Sequence, residues 1–468
     1  MKFADLQQVI DDPARRAEVS AVEVAEACLA RIEEYQPQIN AFFSLTPELA
    51  LADAAKVDAA RAKGERLPLD GMPIAVKDNI DVAGARTTVG SQFFRDRVAS
   101  QDAEVVRRLR AGGAVVVGKS ALHEFVYGVT CNNPFYGPTR NPWNLERIPG
   151  GSSGGSGAAL AADLCIGALG SDTGGSVRIP AALNGVSGLR PTFGGVSNRG
   201  VFPISWSFDT VGPMARSAQD VARLFGLMAA YDPEDPRAIE HQPREIGPEL
   251  EKGMAGLSIG IPSNYFFEDL EPEIEAHVRA AAHVFAELGA KVFEVNVTGA
   301  EQANEICTLI IRADALALHS DRYQNHPALF GEDTLRRLKL GELVSGADYA
   351  KALQQRYGWE LVARQLLLNV DLVMSPTTNA VAPKIVGTDT LTSTAQLTRF
   401  THPWSAAGIP AVSVPCGFNH DGLPIGLQLA AGRWRELVLL RAAAAYQRAT
   451  DWHRRRPKTT VVVGRQSA

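Results

Sequence analysis

The chain is 468 residues long, 46% hydrophobic and 21% charged, with a formal net charge of −5. That is the composition of a soluble globular chain with a sizeable core, enough for one large α/β enzyme or two to three smaller domains. Its mild acidity offers nothing to nucleic acid or an anionic membrane surface, and the short cluster Arg454, Arg455, Arg456 reads as a solvated end. Five cysteines (Cys28, Cys131, Cys165, Cys307, Cys416) stand without CxxC or CxxH spacing. They point to reduced thiols, a cytoplasmic setting and no zinc site. No run approaches the roughly 18 apolar residues of a membrane helix. The opening MKFADLQQVIDDPARR has acids where a secretion signal needs an apolar core.

In chain order, Ser20-Ala-Val-Glu23 is a capping box opening a helix to about Glu34, with Val24, Cys28 and Ile32 on one stripe. A second, alanine-rich helix runs from Pro47 to about Lys63. Ile74-Ala-Val76 is a short buried strand that runs straight into Lys77, an unusual place for a charge that is costly to bury unpaired. A short helix over 103–110 is followed by a strand at Ala114-Val-Val-Val117. The segment Gly113 to Ser120, GAVVVGKS, fits the P-loop pattern, but its middle residues are themselves strand-like. In a P-loop the strand precedes the first glycine, so a nucleotide site at Lys119 is rejected.

Residues Gly150 to Arg178, GGSSGGSGAALAADLCIGALGSDTGGSVR, hold two glycine-rich turns joined by a small-residue segment. Glycine lets two backbones approach closely. Serines at the turn tips, Ser152 and Ser153 in one and Ser176 in the other, suit a nucleophile in a nest of N–H donors. Gly151 to Gly155 also spells GxSxG, but no β-branched strand precedes it, and the late histidines His402 and His453 have no special context. A nucleophile elbow is therefore rejected.

Arg190-Pro191 then ends a helical turn, and loops and short strands follow past Trp206 and Asp209. A helix spans 218 to about 230, and 231–256, rich in Pro, Glu and Asp, is a loop or linker. Strand 257–261, helix 271–288 and strand 290–297 form a β-α-β unit that argues for parallel pairing. Helices over about 300–319 and 347–369, a strand at 370–374, a hairpin of strands at 409–414 and 423–429, and a last helix at 437–450 complete the chain.

AVKDNI, GGSSGGS and SDTGGSVRIPA, in that order, together resemble the amidase signature family. YGPTRNP, GLRPT, GPMARS and SVPCG…GLPIGLQL extend the resemblance over nearly the whole chain. It implies one amidase domain over 1–468, with a helical segment at about 1–65 and a core over about 66–220 and 370–430. The fold would be α/β, with a mixed, largely parallel central sheet covered by helices on both faces. It further implies a Ser–cisSer–Lys triad of Ser176 (nucleophile), Ser152 (bridging) and Lys77 (base), with a cis peptide at Gly151–Ser152. Backbone N–H groups of Thr173, Gly174, Gly175 and Ser176 would form the oxyanion hole. Ser153 would help hold the lysine, and Asp172 and Arg178 would brace the loop. With no histidine in the motif, the lysine can act as base only when neutral, and desolvation among glycine turns pushes it that way.

The reaction implied is hydrolysis of an amide, carbamate or urea-type C–N bond through an acyl-enzyme on Ser176, without metal or cofactor. A free-standing amidase is the favoured reading. The alternative is the glutaminase component of a tRNA-dependent amidotransferase, working with charged tRNA and a partner subunit. Those glutaminases hold the glutamine amino group with an acid just before the segment matching Phe400-Thr401, where this chain has Leu397, Thr398 and Arg399. Arg336-Arg337 does resemble their carboxylate-binding arginine, and the expected MDEF reads Leu122-His123-Glu124-Phe125. Phe125, Tyr127, Trp206 and Trp404 lie near the motifs and are the candidate walls of an apolar substrate pocket. The expected ligand is a small amide or carbamate, with no nucleic acid and no membrane, and the assembly is open between monomer and homodimer.

Overall fold

A computed structural model describes residues 3–241 and 246–458. Its strands in chain order are β1 (Phe42–Leu45), β2 (Pro73–Lys77), β3 (Val115–Ser120), β4 (Asn132–Asn133), β5 (Gly137–Pro138), β6 (Gly167–Asp172), β7 (Ser187–Arg190), β8 (Thr210–Ala215), β9 (Ser258–Pro262), β10 (Lys291–Val295), β11 (Leu372–Pro376), β12 (Ala411–Phe418) and β13 (Pro424–Ala430). Eleven of them form one mixed sheet in the order β1-β3-β2-β6-β8-β7-β12-β13-β11-β9-β10, and β4 pairs with β5 apart from it. The single α/β sheet read from the sequence is present. Parallel pairing sits in two three-stranded runs, β3-β2-β6 and β11-β9-β10, and the other neighbours are antiparallel. The parallel runs occur where a helix crosses over, as in the expected β9–helix–β10 unit. The middle of the sheet is antiparallel because the β12–β13 hairpin and the return of β8 between β6 and β7 supply it.

Side-chain alternation puts a core on each face. Ile74, Val76, Val116 and Leu169 join one large cluster with Val412, Leu427 and Leu372. Their strand neighbours face the other way, Ala75, Val115, Val117 and Ala168 into a second cluster and Val373, Ala411 and Ala430 into a third. The capped helix is Ala21–Ile39, longer than expected, with Ser20 Oγ accepting from Glu23 N–H at 3.4 Å and Val24, Cys28 and Ile32 buried. The alanine-rich helix is Pro47–Ala62.

Three local readings change. Arg190 ends a strand, not a helical turn, because Ser187–Arg190 fills the gap between β8 and β12. The 231–256 segment is no free linker over its described part. Asp232 accepts from Ser197 Oγ at 2.6 Å and Asp235 from Asn198 N–H at 2.7 Å, which bind it to the body; its residues 242–245 lie outside the described ones. Arg456 is not a solvated end either, since it pairs with Asp163 at 2.7 Å and Asp11 at 2.8 Å. Lys119, the P-loop decoy, is a buried strand residue paired with Asp78 at 3.1 Å. Among the described residues no helix is long and apolar enough to cross a membrane.

Candidate active site

The C-terminal ends of β2 and β6, which run parallel, bring Lys77 beside Ser171. Lys77 is fully buried. Its Nζ lies 2.7 Å from Ser152 Oγ and 2.9 Å from Ser171 Oγ, and donates to the Ser171 carbonyl at 3.3 Å. Burial lowers its pKa to about 7, against the opposing pull of Cys131, Asp172 and Asp209. A neutral amine there has two N–H groups for Ser171 and one lone pair for the Ser152 proton.

The first glycine turn enters through a cis peptide at Gly151–Ser152, as expected, and leads into the helix Gly154–Ala161. Ser153 N–H donates to the Ser176 carbonyl at 3.2 Å, which ties the two turns together. Ser153 does not touch the lysine. Its hydroxyl pairs with the Ser171 backbone at 3.3 Å on both the N–H and the carbonyl side, so it acts one residue away. Ser171 is the residue the sequence reading missed. The available signal was its place as first serine of SDTGGS, at the end of a strand adjacent to the lysine strand.

The second turn is held by Asp172. Burial alone would raise this carboxyl; the guanidiniums of Arg178 and Arg190, with backbone donors, outweigh that and hold it well below the usual carboxylate range. Arg178 contacts it at 2.9 and 3.0 Å and reaches on to the Thr401 carbonyl, Gln428 and Ser405. Arg190 contacts it at 3.1 Å. Asp172 also accepts the Gly175 N–H at 2.8 Å. Gly175 is therefore engaged inside the turn, where its φ of +136° suits only glycine. Of the four N–H groups expected to form the oxyanion hole, those of Thr173, Gly174 and Ser176 remain without a partner among the described residues. Thr173 is fixed separately, its hydroxyl donating to Asp209 at 2.6 Å.

Ser176 opens into a cavity of about 200 Å³ together with Thr173, Gly174, Tyr127, Arg312, Arg337 and His402. Of the four aromatic candidates only Tyr127 lines it. Phe125 is fully buried in an aromatic cluster against His319, and Trp404 is fully buried and stacked on Phe266. Trp206 is 55% exposed and sits under the Arg237 guanidinium. Nearness in sequence to a motif does not decide which side of a wall a ring occupies. Arg337 is in the wall and Arg336 is outside it, paired with Asp389. Thr398 also lines the cavity, and among the described residues no Asp or Glu does. Asp333 orients Arg337 through Nε at 3.0 Å and also meets His123 at 2.9 Å, which explains the histidine in place of the expected acid at 123.

With this geometry in hand, the comparisons with known proteins give it a family. The Amidase family model matches residues 23–440. A glutamyl-tRNA(Gln) amidotransferase component of Roseiflexus sp. (strain RS-1) is 40% identical over 95% of this chain and 96% of its own. A protein from a vestigial complex described as revealing the evolutionary origins of an s-triazine catabolic enzyme superposes with a TM-score of 0.89 at 36% identity, covering 98% of this chain and 100% of its own. The native peptide amidase of Stenotrophomonas maltophilia does so with a TM-score of 0.81 at 31% identity, covering 96% and 98%. The chain belongs to the amidase family, and it is an amide-hydrolysing enzyme.

Proposed function

We propose that this enzyme is a hydrolase of the amidotransferase-glutaminase type, releasing ammonia from a compact amide that carries a carboxylate. The observation that carries the reading is the placing of Arg312 and Arg337 in the same small cavity as Ser176, Arg337 held from behind by Asp333 and Arg312 without a carboxylate partner among the described residues. Anionic groups are what such a pair recognises. The amidotransferase relatives favour this over the free-standing amidase suggested by the sequence. The departure at Thr398 favours an amide without a free ammonium, such as succinamate, over glutamine.

In this mechanism Lys77, neutral, draws the proton of Ser176 through the Ser152 hydroxyl, and Ser176 Oγ attacks the carboxamide carbon. The N–H groups of Thr173, Gly174 and Ser176 receive the oxyanion. The proton returns to the departing nitrogen by the same path, ammonia leaves, and water hydrolyses the ester.

Two outcomes follow. Arg337→Gln should raise KM for succinamate and glutamine about 10- to 100-fold, the loss of a charged hydrogen bond at about 1.5–3 kcal/mol, while an uncharged amide such as butyramide is unaffected. Steady-state ammonia release by the purified chain, tested by itself and with a candidate partner protein, checks this; an equal KM rise for butyramide overturns the carboxylate reading. Ser171→Ala should lower kcat about fivefold with little change in KM, since the lysine loses one partner worth about 1 kcal/mol. A kcat unchanged in that variant removes Ser171 from the account.

A further inference from the structure

One wall of the cavity carries acceptors with nothing to accept. His402 begins the helix His402–Ala406 and lines the cavity, buried to 5% exposure. A chain of bonds favours one tautomer. The Thr308 hydroxyl gives its only proton to the Asn304 carbonyl at 2.9 Å, so the 3.3 Å contact between Thr308 Oγ1 and His402 Nδ1 requires Nδ1 to be the donor. Burial first, and then the Arg178 charge, lowers the His402 pKa to about 3, so the ring is neutral. A neutral ring with its proton on Nδ1 has a bare lone pair on Nε2.

That nitrogen faces the nucleophile turn. A Cβ built on Gly174 would stand 2.4 Å from His402 Nε2, so only glycine fits between the imidazole and the turn. Nε2 has no partner among the described residues. Asn304, also in the cavity wall, has a buried Oδ1 that lacks a donor too. Two neutral side chains, His402 and Asn304, and two guanidiniums, of Arg312 and Arg337, thus line one cavity. A ring nitrogen at the cavity wall with no partner in the protein gains a hydrogen bond when the bound molecule supplies a donor.

We infer that His402 is a specificity-determining residue whose Nε2 accepts a hydrogen bond from a neutral N–H group of the substrate. The substrate class is then a carboxylate-bearing amide with a further N–H next to the scissile carbonyl, as in a ureido acid. This rests on the carboxylate-amide reading and narrows it. An ammonium would meet neutral acceptors in a cavity that already holds the Arg312 charge and, paired with Asp333, that of Arg337.

Ureidoacetate and succinamate make the test, because they differ only in NH against CH2 beside the reacting carbonyl. The quantity read is the ratio of their kcat/KM values, which cancels the intrinsic reactivity of each carbonyl when variants are compared. In His402→Leu the ratio should fall at least about tenfold, and in His402→Gln, which keeps an acceptor, it should return to within about threefold of the parent. A ratio unchanged in folded His402→Leu overturns the inference and leaves the carboxylate reading standing. Failure of the parent enzyme to act on either compound while it hydrolyses butyramide overturns the carboxylate reading and this inference with it.

Discussion

Lys77→Met should lower kcat by at least about 10⁴-fold, and so should Ser176→Ala, with the double variant no slower than either alone. Residues that act as one unit fail together, and their effects do not add. In the proposed mechanism the lysine acts as the base, and its lone pair exists only after deprotonation. Below pH 7, kcat/KM of the parent should rise about tenfold per pH unit, then level above about 7, where burial has placed the Lys77 pKa. Misfolding is not the cause of the loss. A lysine whose folded pKa lies below its unfolded value costs stability at every pH below the unfolded value of about 10.4, and this cost fades only as pH rises from 7 towards 10.4. Lys77→Met removes it, so at neutral pH the variant should unfold at a denaturant concentration equal to or above the parent's. Ser152→Ala should keep a slow residue of activity, because Lys77 itself survives the change. Rapid turnover by Lys77→Met, or covalent labelling by a serine-directed reagent at any serine but 176, is the result that defeats the proton path.

What the sequence made legible, and what it hid, divides along sequence distance. Ser152, the cis peptide before it, and Ser176 lie in two glycine turns whose residue pattern is local, and Lys77 stands out because a charge ends a buried strand. The sheet was readable as elements for the same reason, since Ile74-Ala-Val76 and the 409–429 hairpin carry their alternation within a few residues. Strand direction was legible only where the connection is local, in the β9–helix–β10 unit and the β12–β13 hairpin, because elsewhere it depends on which strands meet. Arg190 looks like the end of a turn until β7 is seen between β8 and β12. The substrate cavity is the extreme case. Its wall is assembled from Tyr127, Arg312 and Arg337, Thr398 and His402, on separate segments, and no periodicity within any of them marks the side that faces Ser176. Trp404 shows the limit well: two residues after His402, it points into the core instead, stacked on Phe266.

Asp172→Asn should destabilise the protein by about 3–5 kcal/mol, the largest stability effect expected of any single change near the site. The substitution keeps the shape and removes the charge. Asp172, Arg178 and Arg190 are all fully buried, so the change leaves two guanidiniums in a low-dielectric interior with no counter-charge. The sign with pH follows from the depressed carboxyl. Its stabilising contribution is complete above the unfolded value of about 3.9 and is lost only as pH falls through the much lower folded value, so the effect is the same from about pH 5 to 8. Urea unfolding followed by fluorescence measures it, with the dependence on urea unchanged. The oxyanion turn should suffer as well, because Asp172 Oδ1 accepts the Gly175 N–H that sets the direction of its neighbours. If the loss comes from unpaired charge, removing one cation must give part of it back. Asp172→Asn with Arg190→Met should therefore be more stable than Asp172→Asn alone, a coupling that a mere packing defect would not produce. A cost below about 1 kcal/mol for Asp172→Asn, or no recovery in the double variant, would mean that the turn is held by its backbone and by Arg178's contacts to Thr401, Ser405 and Gln428 rather than by the ion cluster.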